Sequence, residues 1–394
     1  MTTMTLVAGA PPRDRLEWTA VAGLLGFVAA LQLSIAAAGI CLALTLACWA
    51  GTLVLGQERW EAPRFFWPLV VYAAWTLVSA TFSPDPRTSF IDSKQLVLFL
   101  LVPAVYKLAR GNRALTVFNV IITVGAASAI LGIVQYGMFN YDHLGQRPQG
   151  TLGHYMTYSG LLVLVICAAV ARLLFDVRHG TWAAMVMPAL AVAIALTFTR
   201  SAWVGVVLAV ALLFILKDFR LLAILPVIGA LFLLLAPGSI VSRFYSIFDL
   251  HDPTNRDRLA MMHEGRSMIE AHPLTGVGPN MVERLYVQFR DPDAVAKVNP
   301  HLHNVPMQIA AERGLPALAI WIWFLVVAAT DLWRKLASSR HKFLAAGGLA
   351  AIAGMLGAGL FEHNFGDSEF LMLFLVLVTL PFAALRTDAP ADRI

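Results

Sequence analysis

The chain changes from an apolar to a polar run within the stretch ILPVIGALFLLLAPGSIVSRFYSIFDLHDPTNRDR, residues 224–258. The polar character begins at Pro237, continues to Gly314 and gives way there to another apolar run. Five of the ten histidines lie in this segment, namely His251, His263, His272, His301 and His303. Titratable side chains are therefore gathered in one long polar segment between apolar runs.

The rest of the chain has the composition of an integral membrane protein. Apolar residues make up 59% of the sequence and charged residues 13%, with a mean hydropathy of +0.72. A soluble domain carries about 25% charged residues. The pI near 9.2 does not indicate a nucleic-acid partner, because most basic residues lie in short loops where membrane topology requires them. The three cysteines lie inside apolar runs and are interpreted as buried small residues.

Apolar runs long enough to cross a bilayer, about 20 residues each, recur along the chain. The predicted spans are 18–34, 37–55, 65–82, 91–109, 115–138, 155–175, 182–199, 201–216, 219–236, 315–333, 343–361 and 368–385. The sequence thus predicts an all-helical polytopic membrane protein with about twelve transmembrane helices and one large helical loop. The predicted domains are helices 1–9 in residues 1–236, a loop domain in 237–314, and helices 10–12 with a tail in 315–394.

Basic residues are distributed unequally between the two sides that these spans define. One side receives Arg13, Arg15, Arg59, Arg64, Lys107, Arg110, Arg113, Arg172, Arg178, Lys217, Arg220, Arg334, Lys335, Arg340, Lys342, Arg386 and Arg393. The short loops of the other side hold only Arg87, Lys94, Arg147 and Arg200. Short cytoplasmic loops carry the excess of Lys and Arg. Both termini are therefore predicted to be cytoplasmic and the long segment external, which in a Gram-negative bacterium means the periplasm.

The long segment carries signals of ordered structure. The residue pattern predicts a helix over Arg256–Ala271, with Thr254 or Asn255 as its N-cap. The sequence HPLTGVGP, residues 272–279, ends this helix, because proline and two glycines do not continue one.

His303 is the first candidate for chemistry in this segment. A second helix is predicted to begin at Val305, with Asn304 as its N-cap and Gly314 as its end. The positive end of the helix dipole disfavours a charged imidazole just before it. His303 is therefore a candidate general base. The alternative is a histidine that only satisfies the helix end by hydrogen bonding.

Arginines predicted on the external side form a second set of candidates. Arg200 interrupts an apolar stretch, where a charge is costly and marks a functional site, unless it only extends its charge to the interface. Arg147 lies in an external loop, and Arg256, Arg258 and Arg266 lie on the first predicted helix of the loop domain. Guanidinium groups pair bidentately with phosphate oxygens, so this set suits a lipid phosphate or pyrophosphate. For each helical arginine, the alternative is a solvated position.

No metal site or cofactor is predicted. His301 and His303 are separated by one residue, with no third ligand placed by spacing. Asp291-Pro292-Asp293 is formally a D-x-D pattern, which in a proline-containing polar loop is more often a turn. Acidic residues are almost absent from the middle of the spans, which disfavours a cation-coupled transporter. The sequence also lacks the motifs of nucleotide-binding or zinc hydrolases.

Two motifs resemble the signature of the O-antigen ligase and polymerase superfamily. These are the HPLTGVGP segment and the later pattern His303-Asn304-x-x-x-Gln308-x-x-x-Glu312-x-Gly314-Leu315. The topology resemblance covers essentially the whole chain and the motifs cover residues 256–316.

The resemblance implies a membrane-embedded, GT-C-like glycosyltransferase. Ligases of this superfamily transfer a finished glycan from undecaprenyl pyrophosphate to a sugar hydroxyl of lipid A-core, within the bacterial inner membrane and without nucleotide sugar or metal. By resemblance, the essential loop histidine falls on His303 and the essential arginine on Arg200. The arginine that opens the loop helix falls on Arg256 or Arg258. Implied partners are the lipid-linked glycan, lipid A-core and membrane lipids.

Four alternatives remain open at this stage. One of them, a purely structural membrane scaffold, predicts that Arg200 can be replaced by Gln without consequence. An O-antigen polymerase would use the same donor with a second lipid-linked glycan as acceptor. A protein O-oligosaccharyltransferase usually carries a further soluble extension. A solute transporter would explain the spans but not the long ordered loop and external arginines.

Overall fold

The computed structural model describes residues 12–56, 59–176 and 180–386, which form helices, turns and loops without a β-strand. The α-helices α1 to α16 are Pro12–Ala30, Ile35–Val54, Phe66–Thr81, Pro86–Asp92, Leu101–Leu108, Asn112–Met138, Tyr155–Phe175, Thr181–Leu196, Arg200–Lys217, Ile224–Leu235, Gly238–Tyr245, Pro253–Ala271, Val282–Phe289, Val305–Ser338, Lys342–Gly359 and Ser368–Ala383. The 3₁₀ segments are Ser93–Leu100, Phe219–Ala223 and Asn364–Gly366.

Within the described residues, seven helical stretches are long and apolar enough to cross a membrane. They are Ile35–Val54, Pro86–Leu108, Asn112–Met138, Tyr155–Phe175, Arg200–Lys217, Val305–Ser338 and Lys342–Gly359. Shorter apolar helices occupy Phe66–Thr81, Thr181–Leu196, Phe219–Leu235 and Ser368–Ala383. The prediction of an all-helical polytopic membrane protein is confirmed. The count of twelve spans and the domain boundaries stay predictions, and the tail after Arg386 lies outside the described residues.

Helix α15 lies at the centre of the bundle and packs against α7, α9, α14 and α16. It is rich in glycine and alanine, and almost every residue of it is buried. A Cβ on Gly205 of α9 would lie 2.9 Å from the carbonyl oxygen of Gly354 in α15. Small residues thus let two apolar helices approach closely, as they do in membrane bundles.

Helices α8 and α9 meet in a sharp reversal just before Arg200. Helix α8 ends at Leu196 and α9 begins at Arg200, so residues 197–199 are the whole connection. Phe198 has φ 55 and is buried, which turns the chain without a polar loop. This reversal explains why hydropathy shows no gap there, and it places Arg200 in the first turn of α9.

The polar segment is folded. Helix α12 begins at Pro253, earlier than predicted, and its N-cap is Asp252 instead of Thr254 or Asn255. The Asp252 side chain accepts hydrogen bonds from the backbone nitrogens of both of those residues. A small core joins this segment to the start of α14 and consists of Met261, Met268, Val277, Met281, Val282, Leu302 and Ala311. The loop segment is therefore fixed to the membrane helix that follows it.

The two signature motifs interlock at a break in α14. The break lies at Gly314, with φ 80 and ψ 169. A Cβ on Gly314 would overlap the carbonyl oxygen of Leu274, and one on Gly276 would overlap the backbone of Glu312. Both glycines have positive φ, a conformation that side chains disfavour. The segment His272–Pro279 thereby fixes the part of α14 that begins beside His303.

Candidate active site

His303 lies one residue before the N-cap of α14. Asn304 is that N-cap, as predicted: its Oδ1 accepts from the backbone nitrogen of Met307 at 2.9 Å. Its Nδ2 donates to the carbonyl oxygen of Leu360 at 3.1 Å. His303 has φ 47, in the left-handed region that costs free energy for residues other than glycine. The capped helix end and the loop after α15 therefore hold His303 in a defined place.

Glu362 is the hydrogen-bond partner of His303. Its Oε2 lies 3.0 Å from His303 Nδ1. Burial raises the pKa of Glu362, but the bond from His303 and the charges of His303 and His301 outweigh it and lower the pKa to about 2. An ionised carboxylate only accepts hydrogen bonds, so His303 Nδ1 carries the proton. The lone pair of a neutral His303 ring is then on Nε2.

Two more histidines extend this pair. The His301 ring lies 4.2 Å from the His303 ring and 5.8 Å from the His363 ring, measured between centroids. Burial and the neighbouring charge of His303 lower the pKa of His301. Burial and the charge of His301 lower the pKa of His363 to about 3, so His363 is neutral near pH 7. We call His301, His303, Glu362 and His363 the histidine–glutamate cluster.

Three members of this cluster have the chemistry and spacing of metal ligands. One ligand atom each from His301, His303 and Glu362 lies within 4.8 Å of the others. The D-x-D pattern forms a turn, in which Asp291 accepts from the backbone nitrogen of Asp293 at 2.8 Å. Sequence spacing missed the set of three because Glu362 is far away in the chain. A reaction without metal stays a prediction.

Arg200 is 5% exposed, and its guanidinium group contacts residues of the polar segment. Its Nη1 donates to the carbonyl oxygen and the Oγ of Ser246, both at 2.9 Å. Its Nη2 lies 3.4 Å from Asp252 Oδ1. The first residue of α9 is thereby tied to the N-terminus of α12.

Arg243, which the sequence analysis did not single out, lies beside Arg200. Its Nη1 is 3.8 Å from Asp252 Oδ2, and its buried Nε has no hydrogen-bond partner among the described residues. Burial, followed by the charges of Arg200 and Arg147, lowers its pKa to about 10. The lowered pKa of Arg243 thus reflects its burial next to other positively charged groups.

Arg147 and Arg258 complete the group. The Arg147 guanidinium lies 4.3 Å from the centre of the Tyr155 ring and Arg258 Nη2 donates to the carbonyl oxygen of Phe361 at 3.0 Å. Burial, and in addition the charge of Arg200, lowers the pKa of both arginines. We call Arg147, Arg200, Arg243 and Arg258 the arginine cluster.

Two predicted arginines lie elsewhere. Arg256 is exposed, and Arg266 is exposed and forms an i,i+4 pair with Glu270, with Nε to Oε1 at 2.7 Å. The structure does not bring Arg266 together with the arginine cluster. Of the pair that the sequence left open, Arg258 is the one that contacts the site loop.

The two clusters adjoin at the loop after α15. Arg258 contacts Phe361, and the next residue is Glu362, which holds His303. The charge of Glu362 in turn raises the pKa of Arg258 against the effect of burial. A cationic group and a candidate base are therefore neighbours. Such an arrangement can hold an anionic leaving group beside a hydroxyl that loses a proton.

The fold and this site define a polytopic membrane protein with a histidine–carboxylate pair beside a group of arginines. Residues 183–322 match the family model described as O-antigen ligase. This range includes three members of the arginine cluster, as well as His303. Residues 183–322 are thus similar to the O-antigen ligase family, whose members are membrane glycosyltransferase-like enzymes, and the resemblance drawn from the sequence is confirmed over this range. No curated protein matches the chain.

Proposed function

We propose that this protein is an O-antigen ligase that transfers a glycan from undecaprenyl pyrophosphate to a sugar hydroxyl of lipid A-core during lipopolysaccharide synthesis. The proposal places it in the bacterial inner membrane with cytoplasmic termini and a periplasmic loop domain, as the distribution of basic residues favours. The observation that carries it is the position of the arginine cluster next to the His303–Glu362 pair, where Arg258 contacts Phe361, the residue before Glu362. The family match supports the same reaction class.

The arginine cluster is suited to the pyrophosphate of the donor. Of its four guanidinium groups, those of Arg200 and Arg243 pair with the carboxylate of Asp252. Arg243 keeps a buried Nε without a partner among the described residues, so it can still donate. Fixed cations stabilise negative charge that grows on a leaving group. Pyrophosphate would thus leave with the electron pair of the broken bond without a metal ion.

His303 is suited to activate the acceptor. With Nδ1–H directed to Glu362, its Nε2 accepts the proton of the acceptor hydroxyl. The hydroxyl oxygen then bonds to the anomeric carbon of the donor while the bond from that carbon to the phosphate oxygen breaks. This direct displacement inverts the anomeric configuration. Glu362 acts as a positioning residue that fixes the tautomer of His303 and stabilises its charged form, as the carboxylate of a Ser-His-Asp triad does.

Glu362→Gln is expected to reduce kcat by about 100-fold, with donor and acceptor KM changed by less than about threefold. The amide keeps the size of the side chain but removes the charge that stabilises protonated His303. Because the pKa of Glu362 is about 2, the carboxylate is ionised throughout the range from pH 5 to 8 and loses its charge only well below it. The difference between the variant and the wild type at pH 7 therefore reports the loss of this charge. Steady-state kinetics at several pH values check this, and full activity of the variant at pH 7 would contradict the role of Glu362.

The nearest alternative is an O-antigen polymerase, followed by a protein O-oligosaccharyltransferase. The discriminating experiment supplies purified protein with undecaprenyl-pyrophosphate-linked glycan and lipid A-core lacking O-antigen. A ligase attaches the glycan to lipid A-core. A polymerase instead lengthens the lipid-linked glycan, and an oligosaccharyltransferase requires a protein acceptor. Transport of a solute without any transfer would overturn the enzyme proposal.

A further inference from the structure

A polar cavity of about 220 Å³ lies beside His301 and His363, on the side of α14 that faces α3. We call it the polar cavity. Its polar and aromatic lining residues are Tyr72, Asp92, Gln95, Phe99, Asn280, His301, Gln308, Glu312, Arg313, His363 and Phe365. They come from the second signature motif and the residues before it, from Asn280 directly after the first motif, from helices in the N-terminal third of the chain and from the loop after α15.

The charge of the polar cavity differs from that of the arginine cluster. Its one guanidinium, Arg313, is shared between two carboxylates: Nη1 lies 2.6 Å from Glu312 Oε2, and Nη2 lies 3.7 Å from Asp92 Oδ2. An anionic ligand would meet an arginine that is already paired and a carboxylate, Asp92, that is one-third exposed. The cavity therefore disfavours pyrophosphate and suits an uncharged ligand.

Hydrogen-bonding groups of the lining remain unused. His301 Nδ1, His363 Nδ1 and Arg313 Nε are buried and have no hydrogen-bond partner among the described residues. A buried polar atom left without a partner destabilises the folded protein. Neutral histidine rings both donate and accept, and so do sugar hydroxyls. A ring with several hydroxyls would satisfy these atoms, while Tyr72 and Phe99 offer flat apolar surface.

A second cavity, of about 170 Å³, also borders His301 and His363 but is less suited to this role. Its main polar groups bind one another: Thr157 Oγ1 donates to Asp367 Oδ2 at 2.5 Å, and His154 Nδ1 lies 3.3 Å from Thr157 Oγ1. These groups have less capacity left for a ligand. The polar cavity is the stronger candidate.

We infer that the polar cavity binds the acceptor, an uncharged sugar ring with several free hydroxyls, and that Asp92 and Arg313 determine its specificity. The inference rests on the proposed function and assigns opposite sides of the histidine–glutamate cluster to the two substrates. The donor pyrophosphate lies at the arginine cluster. The acceptor enters past His301, whose ring adjoins that of His303, and presents one hydroxyl to the base.

The test compares Asp92→Asn with wild-type protein in the transfer assay. Loss of a hydrogen bond to a charged group corresponds to about a tenfold rise in the KM for lipid A-core. Donor KM and kcat should stay within about twofold. Asp85→Asn is the matched control, because Asp85 also pairs with an arginine, Arg284 Nη1 at 2.6 Å, but does not line the cavity. A rise in donor KM with unchanged acceptor KM would overturn the inference.

A photo-crosslinking amino acid at position 96 provides a second measurement that does not depend on the stability of an Asp92 variant. Leu96 lines the polar cavity and is half-buried. Irradiation should attach lipid A-core but not the undecaprenyl-linked glycan, and attachment of the donor alone would contradict the inference. Absence of any transfer by wild-type protein would instead remove the proposed function. If the wild type transfers glycan, but Asp92→Asn leaves the acceptor KM unchanged and position 96 does not crosslink to lipid A-core, only this inference fails.

Discussion

His303→Ala is expected to lower the transfer rate by about 1,000-fold, within the range that general-base catalysis contributes. The variant removes the imidazole whose Nδ1 pairs with Glu362 and whose Nε2 is then free to accept a proton. Donor binding should be unchanged, because the arginine cluster does not depend on the imidazole. Single-turnover transfer and binding of the lipid-linked donor, measured on the same preparation, check both parts.

His263→Ala is the matched control for this prediction. His263 Nδ1 lies 3.0 Å from Asp291 Oδ2, the same kind of pair that His303 makes with Glu362, but the His263 side chain is 61% exposed. Its replacement should leave the rate unchanged. His303→Asn is a second variant that should still fold, because asparagine tolerates the left-handed backbone at this position. A folded His303→Asn variant that transfers glycan at the wild-type rate would exclude His303 as the base.

Arg200→Gln is expected to lower kcat by about 100-fold, similar to loss of one group that stabilises charge in a transition state. The side chain is buried, and in the proposed mechanism it stabilises the negative charge that develops on the departing pyrophosphate. Arg200→Lys should recover part of the rate, because it keeps the charge but not the planar fork of donors. Rates of transfer at saturating donor measure the effect.

Two controls separate an electrostatic role of Arg200 from a structural one. Asp252→Asn weakens the Arg200 pair but keeps a good helix N-cap. If Arg200 only anchored α12, this variant would show the same loss. Arg266→Gln removes an exposed arginine whose partner is Glu270, and it should change the rate by less than about twofold. Full activity of Arg200→Gln would contradict a role of this arginine in stabilising the leaving group.

Much of the fold could be predicted because membrane helices follow from local hydropathy. The N-cap at Asn304 was also predictable, since a capping residue acts on its nearest neighbours. The cap of α12 was not, because Asp252, Thr254 and Asn255 are all good capping residues. Only the fold of the chain before Pro253 selects Asp252, which also pairs with Arg200.

The candidate site was predictable only where its residues lie in conspicuous sequence. Arg200 is a charged residue within an apolar run, and His303 opens a recognisable motif. Glu362 and His363 form a polar pair in a short loop between apolar runs, a signal that could have indicated a site. Their distance in sequence from His303 hid the pairing. Arg243 carried no such signal, because it lies in an ordinary polar stretch.

Helix geometry explains the different positions of the loop arginines. Arg256 and Arg258 are two residues apart and therefore point to different faces of α12. Arg266 is eight residues beyond Arg258, which places it about 80° further around the helix and about 12 Å further along it at 1.5 Å per residue. Sequence periodicity could place these arginines on one helix. It could not show which turn of that helix meets the loop at Phe361.

The anomeric configuration of the transferred sugar tests the central claim most directly. Purified protein would receive undecaprenyl-pyrophosphate-linked glycan and lipid A-core in EDTA, and the linkage in the product would be determined by NMR. We predict a new bond to a sugar of lipid A-core with the configuration inverted relative to the donor. Retention of the donor configuration, or a requirement for a metal ion, would contradict direct displacement by a hydroxyl that His303 activates.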